Sequence, residues 1–213
     1  MATMAATPRT PSPAEPGAQP PLGLRERKKL RTRVAIRQAT YRLIAEQGYD
    51  ATTIEQIAEA AEVSPSTVFR YFATKEDIVL TDEYDPVMEA SLRSRPADEA
   101  PLLSVRLMMI ESLTSFMETE NEELRQRTRL MVEVPAIRAR MTETMSDTAK
   151  ILAQVLADRT GRSADDLKIR IFIAAVLGAL REVTLYWGEH DQEGDLIAMI
   201  NDALDTLEGG LLL

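Results

Sequence analysis

The chain has 213 residues, 45% of them hydrophobic and none of them cysteine, and its formal net charge at pH 7 is −9. This length accommodates one substantial core and a small accessory domain. A sequence without cysteine excludes disulfides, thiolate metal ligands and cysteine catalysis, and it fits a reducing cytoplasm. We expect a cytoplasmic protein with no membrane partner, because its longest apolar run, residues 171–180, is half as long as the ~20 residues that a membrane span requires.

The first 21 residues differ in composition from the rest of the chain. They contain six of the eleven prolines, together with Ala, Thr and Ser. A segment of this kind lacks the apolar side chains that a packed core requires. We predict a disordered tail over residues 1–21, a first folded domain over residues 22–76 and a second over residues 77–213.

The charge is unevenly distributed along the chain. Residues 22–76 contain ten Lys and Arg against seven Asp and Glu, whereas residues 77–213 contain 14 against 26. Residues 25–42 alone hold eight basic residues and a single Glu. A positive N-terminal part favours contact with nucleic-acid phosphates, and an acidic remainder disfavours non-specific wrapping. The alternative is a basic helix face that contacts only solvent.

Three helices are predicted in the first domain. The first spans residues 25–48, and its inner stripe and C-terminal end consist of Ile36, Thr40, Leu43, Ile44, Gln47 and Gly48. The second begins after Thr53, which forms a capping box with Gln56. The third begins at Pro65, because Ser64 suits the N-cap position and proline suits the first helical position.

The third helix has a polar and aromatic outer surface. Helical spacing places Val68 and Phe72 on its inner face. The remaining surface is shared by Ser66, Thr67, Phe69, Arg70 and Tyr71. Hydroxyl groups, aromatic rings and a guanidinium are the groups that contact phosphates, thymine methyls and base edges in a major groove. The pair of short helices therefore predicts double-stranded DNA as a partner.

This region resembles the DNA-binding domain of the tetracycline-repressor (TetR) family of transcriptional regulators. The similarity runs through residues 30–80 in order and in spacing, with the motifs RxxI (33–36), EQGYDATT (46–53), IAEAAEVS (57–64), TVFRYF (67–72) and TKED (74–77). The resemblance implies a homodimer that occupies a palindromic operator without ligand. It also implies a small-molecule effector that moves the helix beginning near Thr74 and thereby releases the DNA.

The resemblance assigns roles to individual positions. Thr53 and Lys75 match family positions that contact phosphate. The groove-facing positions of the family are matched by Pro65, Ser66, Thr67, Phe69 and Tyr71. The sequence departs from the common pattern at Ser66, where many members have Gly, and at Arg70, where an aromatic residue or His is frequent. The candidate DNA-binding residues are Arg33, Thr53, Ser64, Pro65, Ser66, Thr67, Phe69, Arg70, Tyr71 and Lys75.

The second domain is also predicted to be helical, which makes the protein all-α: a three-helix helix-turn-helix domain followed by a six-helix ligand-binding and dimerisation domain. The six helices are expected at residues 75–93, 101–119, 121–132, 135–158, 164–188 and 193–208. Ser163 and Asp166 are expected to form a capping box at the start of the fifth.

Soft apolar side chains concentrate in the middle helices and favour an adaptable pocket for an apolar ligand. Arg125 and Arg129 stand one helical turn apart and suit an anionic group. Ordinary core filling and a solvated face are the alternatives. The candidate ligand-binding residues are Met108, Phe116, Arg129, Met131 and Met145.

Two apolar stripes near the C-terminus predict a dimer face, which a palindromic operator requires. The candidate dimerisation residues are Phe172, Val176, Leu180, Val183, Met199 and Leu204. The alternative is that both stripes are buried within one protomer.

The sequence offers no pattern typical of catalysis. His190 is the single histidine, in an acidic turn, and solvation of this side chain is favoured over metal binding. The carboxylates lack a paired spacing that suggests acid–base work. We expect neither enzyme activity nor a cofactor, and the alternative outside the regulators is a small helical carrier or enzyme without a DNA role.

Three further segments resemble an actinobacterial subgroup of the same family that is described as binding acyl-CoA-like ligands. They are residues 76–86, 123–141 and 157–167. The resemblance implies a long apolar effector such as a CoA thioester. The rival within the family is a regulator of drug efflux that responds to amphipathic compounds.

Overall fold

The computed structural model describes residues 23–81 and 85–211. Within these ranges the ordered elements are α-helices without any strand, which confirms the all-α class. The tail predicted over residues 1–21 lies outside the described residues. The helices are α1 Leu24–Gln47, α2 Ile54–Ala60, α3 Pro65–Tyr71, α4 Lys75–Leu80, α5 Asp85–Ser94, α6 Pro101–Glu133, α7 Pro135–Thr160, α8 Leu167–Glu189 and α9 Leu196–Glu208.

Local capping determines where α2 and α3 begin, as predicted. The Thr53 hydroxyl accepts a hydrogen bond from the Gln56 amide at 3.3 Å, and the Gln56 side chain accepts one from the Thr53 amide at 2.9 Å. The Ser64 hydroxyl accepts from the Thr67 amide at 3.2 Å, and Pro65 is the first residue of α3. The core beneath these helices consists of Ile36, Ile57, Ala58, Val68, Phe72 and Ile78.

Two predicted helix boundaries in the second domain are wrong. The helix expected over residues 75–93 is interrupted, because Pro86 cannot continue a helix that begins at Lys75. The helices expected over residues 101–119 and 121–132 are one helix, α6, of 33 residues. No Gly or Pro interrupts it, and Thr119 donates its hydroxyl back to the Ser115 carbonyl at 2.8 Å within the helix.

The start of α8 also differs from the prediction. Asp166 is the N-cap residue, and its carboxylate accepts the Lys168 amide at 2.8 Å. The Ser163 hydroxyl accepts from the Asp165 amide at 3.2 Å, within the turn that precedes the helix. The predicted capping box is therefore replaced by a shorter helix with a single aspartate cap.

Two further clusters of buried apolar residues lie outside the core of the N-terminal helices. The larger one lies between α5, α6, α7, α8 and α9. The other joins the two predicted domains and consists of Tyr41 and Ile44 from α1, Val79 from α4, Leu130 and Met131 from α6, Ile137 and Met141 from α7, and Leu185 from α8. None of the helices in the described part of the chain is long and apolar enough to cross a membrane.

Candidate DNA-binding surface and effector cavity

Helix α3 has polar and aromatic side chains on its exposed side and a buried apolar residue on the opposite side. Val68 is fully buried, whereas Phe69 is 55% exposed and Ser66 and Arg70 are also exposed. Tyr71 is half-buried and packs against the core of the N-terminal helices, so the expectation that it lies on the open surface is wrong. The reason is that residue 71 lies three positions from Val68 and shares part of its inward face.

Three hydroxyl groups meet at the start of α3. The Ser64 oxygen lies 2.9 Å from the Ser66 oxygen and 2.9 Å from the Thr67 oxygen. Ser64 and Ser66 are exposed, and the N-terminus of a helix favours negative charge. Contact of Ser64, Pro65, Ser66 and Thr67 with a phosphate or a base edge stays a prediction.

Lys75 holds the turn that precedes α2. Its ammonium donates to the carbonyl oxygens of Tyr49 at 2.7 Å and Thr52 at 2.8 Å, and it lies 3.9 Å from the centre of the Tyr49 ring. Burial lowers the pKa of Lys75. Its phosphate contact stays a prediction, and the contacts seen instead position Thr53, which is exposed at the start of α2.

The basic residues of α1 divide into two groups. Arg37 is buried and forms an ion pair with Glu123 of α6, so it is withdrawn from any phosphate. Arg33 lies over the Phe72 ring, with 5.1 Å from its guanidinium carbon to the ring centre. The exposed basic residues are Arg25, Arg27, Lys28, Lys29, Arg31 and Arg42.

An apolar cavity of about 240 Å³ lies between α5, α6, α7 and α8. Its methionines are Met88, Met108, Met109, Met141 and Met145. Met108 and Met145 therefore lie where the sequence predicted ligand-binding residues. Met88 was missed because its segment was assigned to a single helix over residues 75–93, whereas Met88 belongs to the separate helix α5.

Three of the predicted ligand-binding residues lie outside the wall of this cavity. Phe116 is buried in the larger core under the Arg127 guanidinium. Met131 belongs to the cluster that joins the two domains, and Arg129 is exposed. Arg125 lies over the Trp187 ring, with 5.4 Å from its guanidinium carbon to the ring centre, and does not line this cavity. The physical reason is that helical spacing defines a face but not the neighbour that covers it.

Two charged residues line the cavity, and sequence reasoning missed both. Glu89 is bound by Arg93 at 2.8 Å, whereas Arg181 projects from α8. A signal for Arg181 exists in the sequence, since Leu177, Arg181 and Thr184 recur at helical spacing and all three line the cavity.

Part of the predicted dimer face is buried within the protomer. Val176 and Leu204 are 2% and 0% exposed within the protomer, and Leu180 lines the cavity. Phe172, Val183 and Met199 are half-buried and pack against the same core. The exposed apolar side of α8 is its opposite face, where Ile171 is 58% and Tyr186 is 50% exposed. The helix is apolar on both sides, so the sequence could not distinguish its inner stripe from its outer one.

No group of three His, Asp or Glu residues in the described ranges is arranged to hold a metal ion. His190 stacks on Tyr186, with 3.9 Å between ring centres, and its Nδ1 lies 2.7 Å from the Tyr186 carbonyl oxygen. These contacts position the imidazole of His190.

Comparison with known proteins identifies the family. A model described as bacterial regulatory proteins of the tetR family matches residues 36–81, and a model described as the MftR C-terminal domain matches residues 99–212. The HTH-type transcriptional regulator TcmR of Streptomyces glaucescens is 36% identical over 196 residues, which cover 87% of this chain and 86% of that protein.

Two further similarities concern fatty acid regulators. The fatty acid metabolism regulator protein of Bacillus subtilis (strain 168) is 24% identical over 184 residues, covering 83% of this chain and 93% of that protein. FadR from Bacillus subtilis, with a crystal structure in complex with stearoyl-CoA, has 25% sequence identity to this chain and a TM-score of 0.57. The match covers 84% of this chain and 99% of that chain. Both the family models and the full-length relative lead to one conclusion: the chain belongs to the TetR family of ligand-responsive bacterial transcriptional regulators.

Proposed function

We propose that the protein is a repressor that binds a palindromic operator as a dimer and is released when an apolar, acyl-CoA-like effector fills the cavity between α5 and α8. The observation that carries this proposal is the position of α7. This helix lines the cavity with Met141 and Met145, and its Arg140 binds Asp77 of α4 at 2.7 Å. One helix therefore touches both the effector site and the support of the DNA-binding helices.

The DNA-binding role rests on the surface of α3 and on α1. Ser66, Phe69 and Arg70 are exposed on a helix whose opposite side is anchored by Val68. We infer that these three side chains read the operator and that the exposed basic residues of α1 contact its phosphates. A regulator of this kind acts where the chromosome is, in the cytoplasm, and needs no enzyme activity.

The effector class is supported by the chemistry of the cavity wall. A volume of about 240 Å³ is slightly below the ~300–1,000 Å³ of typical small-molecule sites. Methionine side chains are unbranched and flexible, so this wall can expand around a long chain. The similar FadR structure contains stearoyl-CoA, which favours an acyl-CoA-like effector over a compact polar one.

The coupling to DNA passes through a carboxylate that has two functions. One Asp77 oxygen accepts the backbone amide of Thr74 at 3.0 Å and caps α4, while the other accepts Arg140 of α7 at 2.7 Å. Met141, beside Arg140, lines the cavity and also belongs to the cluster that contains Val79 of α4. An effector that displaces Met141 therefore moves α4 as well.

The dimer is assigned to the outer face of α8. Ile171 and Tyr186 are exposed there, and the small residues Ala175 and Gly178 between them are exposed too. Small side chains allow the same helix of a second copy to approach closely, and a two-fold axis brings identical faces together. The inner residues Val176 and Leu180 are no longer part of the proposed interface.

The test is a titration of the full-length protein on DNA from upstream of its own gene. We expect a footprint with two-fold symmetry, and at least a tenfold loss of operator affinity at saturating lauroyl-CoA or stearoyl-CoA, which requires about 1.4 kcal/mol of differential binding. Calorimetry should then show that saturating operator weakens binding of the thioester by the same factor, because the coupling free energy is shared. Equal affinity for the thioester with and without operator would contradict the proposed release.

A further inference from the structure

Arg181 lies where the effector cavity meets a second cleft. The cleft is lined by Val132, Pro135, Arg138, Ala139 and Thr142, and Arg181 belongs to the walls of both. Its side chain is 32% exposed, so it lies partly within these walls. The cleft opens at the junction of α6 and α7, next to α8.

The charge of Arg181 is poorly compensated. The nearest carboxylate oxygen in the described part of the chain belongs to Glu182, at 4.0 Å, and the Glu182 side chain is 75% exposed. Within the described residues Arg181 forms no hydrogen bond. Other arginines of this domain are held closely, as Arg106 is by Asp205 at 2.6 Å and Arg95 is by Glu99 at 2.6 Å.

A guanidinium without a close carboxylate partner can bind an anion through charge-assisted hydrogen bonds. Arg138, across the cleft, donates to the carbonyl oxygen of Val132 at 2.6 Å and lies 3.8 Å from Glu189. Its charge adds to the positive potential of the cleft. Glu89 is the other charged residue of the cavity wall, and its carboxylate pairs with Arg93. This pair neutralises the negative charge of the wall, whereas the positive charge of Arg181 can bind an anionic ligand.

We propose that Arg181 receives the anionic head group of an amphipathic ligand whose apolar chain occupies the methionine-lined cavity. The cavity accepts the chain, and the cleft accepts a carboxylate or phosphate. This inference rests on the effector site proposed above. It adds that the ligand is negatively charged and that its head group lies in the cleft. Neutral amphiphiles of equal chain length can fill the cavity but cannot pair with the Arg181 charge.

The experiment compares three probes with the same twelve-carbon chain: dodecanoate, lauroyl-CoA and 1-dodecanol. Calorimetry on wild-type dimer should give at least one anionic probe an affinity about tenfold or more above that of the alcohol, as expected for a charge-assisted hydrogen bond. Arg181→Gln should abolish this difference by lowering the affinity for the anionic probes to that for the alcohol. Arg181→Lys should restore part of it, and the matched control Arg170→Gln, on the exposed side of α8, should have no effect.

The outcomes distinguish a carboxylate from a phosphate as the bound anion. They also distinguish the anion site at Arg181 from the proposed release of DNA. A loss confined to dodecanoate assigns the site to a carboxylate, and a loss confined to lauroyl-CoA assigns it to a phosphate. An anion preference that survives Arg181→Gln, or equal binding of all three probes to the wild type, would overturn the inference, as would failure of every probe to bind. If the preference depends on Arg181 but no probe changes operator affinity, the anion site stands and the proposed release mechanism falls.

Discussion

Neighbouring residues of α3 differ sharply in their exposure to solvent. Val68 is fully buried in the core of the N-terminal helices, whereas Phe69 is 55% exposed beside Arg70. The Phe69 ring is exposed to solvent and therefore does not contribute to the core. Its role is expected in the complex with DNA, where thymine methyl groups offer an apolar partner.

We predict that Phe69→Ala weakens operator binding without loss of stability. The expected decrease in binding free energy is about 1–2 kcal/mol, from the apolar area that the ring buries against DNA. Val68→Ala, the matched control, should lower the free energy of unfolding by about 1–3 kcal/mol. Fluorescence anisotropy and urea denaturation measure the two effects. Unchanged operator affinity in folded Phe69→Ala would remove this residue from the DNA surface.

Tyr49, Lys75 and Glu76 form a network that holds the turn before α2. The Tyr49 hydroxyl donates to the Glu76 carboxylate, and burial together with this contact raises the pKa of Tyr49. Burial, the largest single effect, would raise the pKa of Glu76, but the hydrogen bonds from Tyr49, the backbone and Thr74, together with the charge of Lys75, outweigh it, and the pKa of Glu76 is lowered. The phenol therefore stays protonated and the carboxylate stays charged at neutral pH.

A depressed carboxylate pKa contributes stability above its unfolded value, near 4.5, and this contribution is lost as pH falls through the folded value. Tyr49→Phe keeps the ring under Lys75 but removes the donor. We predict a loss of about 1 kcal/mol at pH 7, the low end for a half-buried charged hydrogen bond. Thermal unfolding from pH 7 to pH 3 should show the difference from wild type shrinking below pH 4.5. A difference that is constant with pH would contradict the assigned hydrogen bond.

At the scale of elements, α7 connects the two halves of the protein. Consecutive residues of a helix point about 100° apart, so Arg140 and Met141 face different neighbours. Arg140 reaches α4, and Met141 reaches the cavity and the cluster around Val79. Thr74 and Asp77 cap α4 reciprocally, which makes this short helix respond as a unit.

We predict that Arg140→Gln uncouples effector from operator. Each ligand alone should bind within about threefold of wild type, while the coupling free energy falls by about 0.5–2 kcal/mol. Glu143→Gln is the matched control, because Glu143 is the exposed second partner of Arg140. Operator titrations with and without lauroyl-CoA measure the coupling. A coupling equal to wild type in Arg140→Gln would show that the Asp77 contact only supports α4.

At the scale of the whole molecule, α8 has two apolar stripes. One stripe packs into the core of the protomer, and the other is exposed on the outer side. Val176 completes the core of the protomer, whereas Ile171 lies on the outer side. Leu167, at the start of the helix, is 69% exposed on the same outer side. A row of this kind on a monomer is typical of an interaction surface.

We predict that Ile171→Glu yields a folded monomer. A carboxylate buried without a partner costs about 3–5 kcal/mol, and a two-fold interface contains it twice, so the dissociation constant of the dimer should rise at least a hundredfold. Val176→Glu, in contrast, should unfold the protomer. Analytical ultracentrifugation and circular dichroism distinguish the two results. A folded Ile171→Glu dimer with normal operator affinity would place the interface on another face.

The sequence by itself determined what depends on near neighbours in the chain. The caps at Thr53 and Ser64, proline at the first position of α3 and the buried pair Val68 and Phe72 are all as predicted, because each follows from contacts within one or two turns. The motif spacing of residues 30–80 was equally sufficient for the family. Most of the DNA-binding surface is built from such local signals.

Only the tertiary structure decided which face of each long helix meets which neighbour. It placed Val176 and Leu204 in the protomer core, opened the outer side of α8 at Ile171, withdrew Arg37 to an ion pair with α6 and brought Arg181 to the cavity wall. The physical reason is that these outcomes depend on contacts between residues far apart in the chain. Helical periodicity defines an apolar face, but the packing of whole helices determines whether that face meets its own core, a ligand or a second copy of the protein.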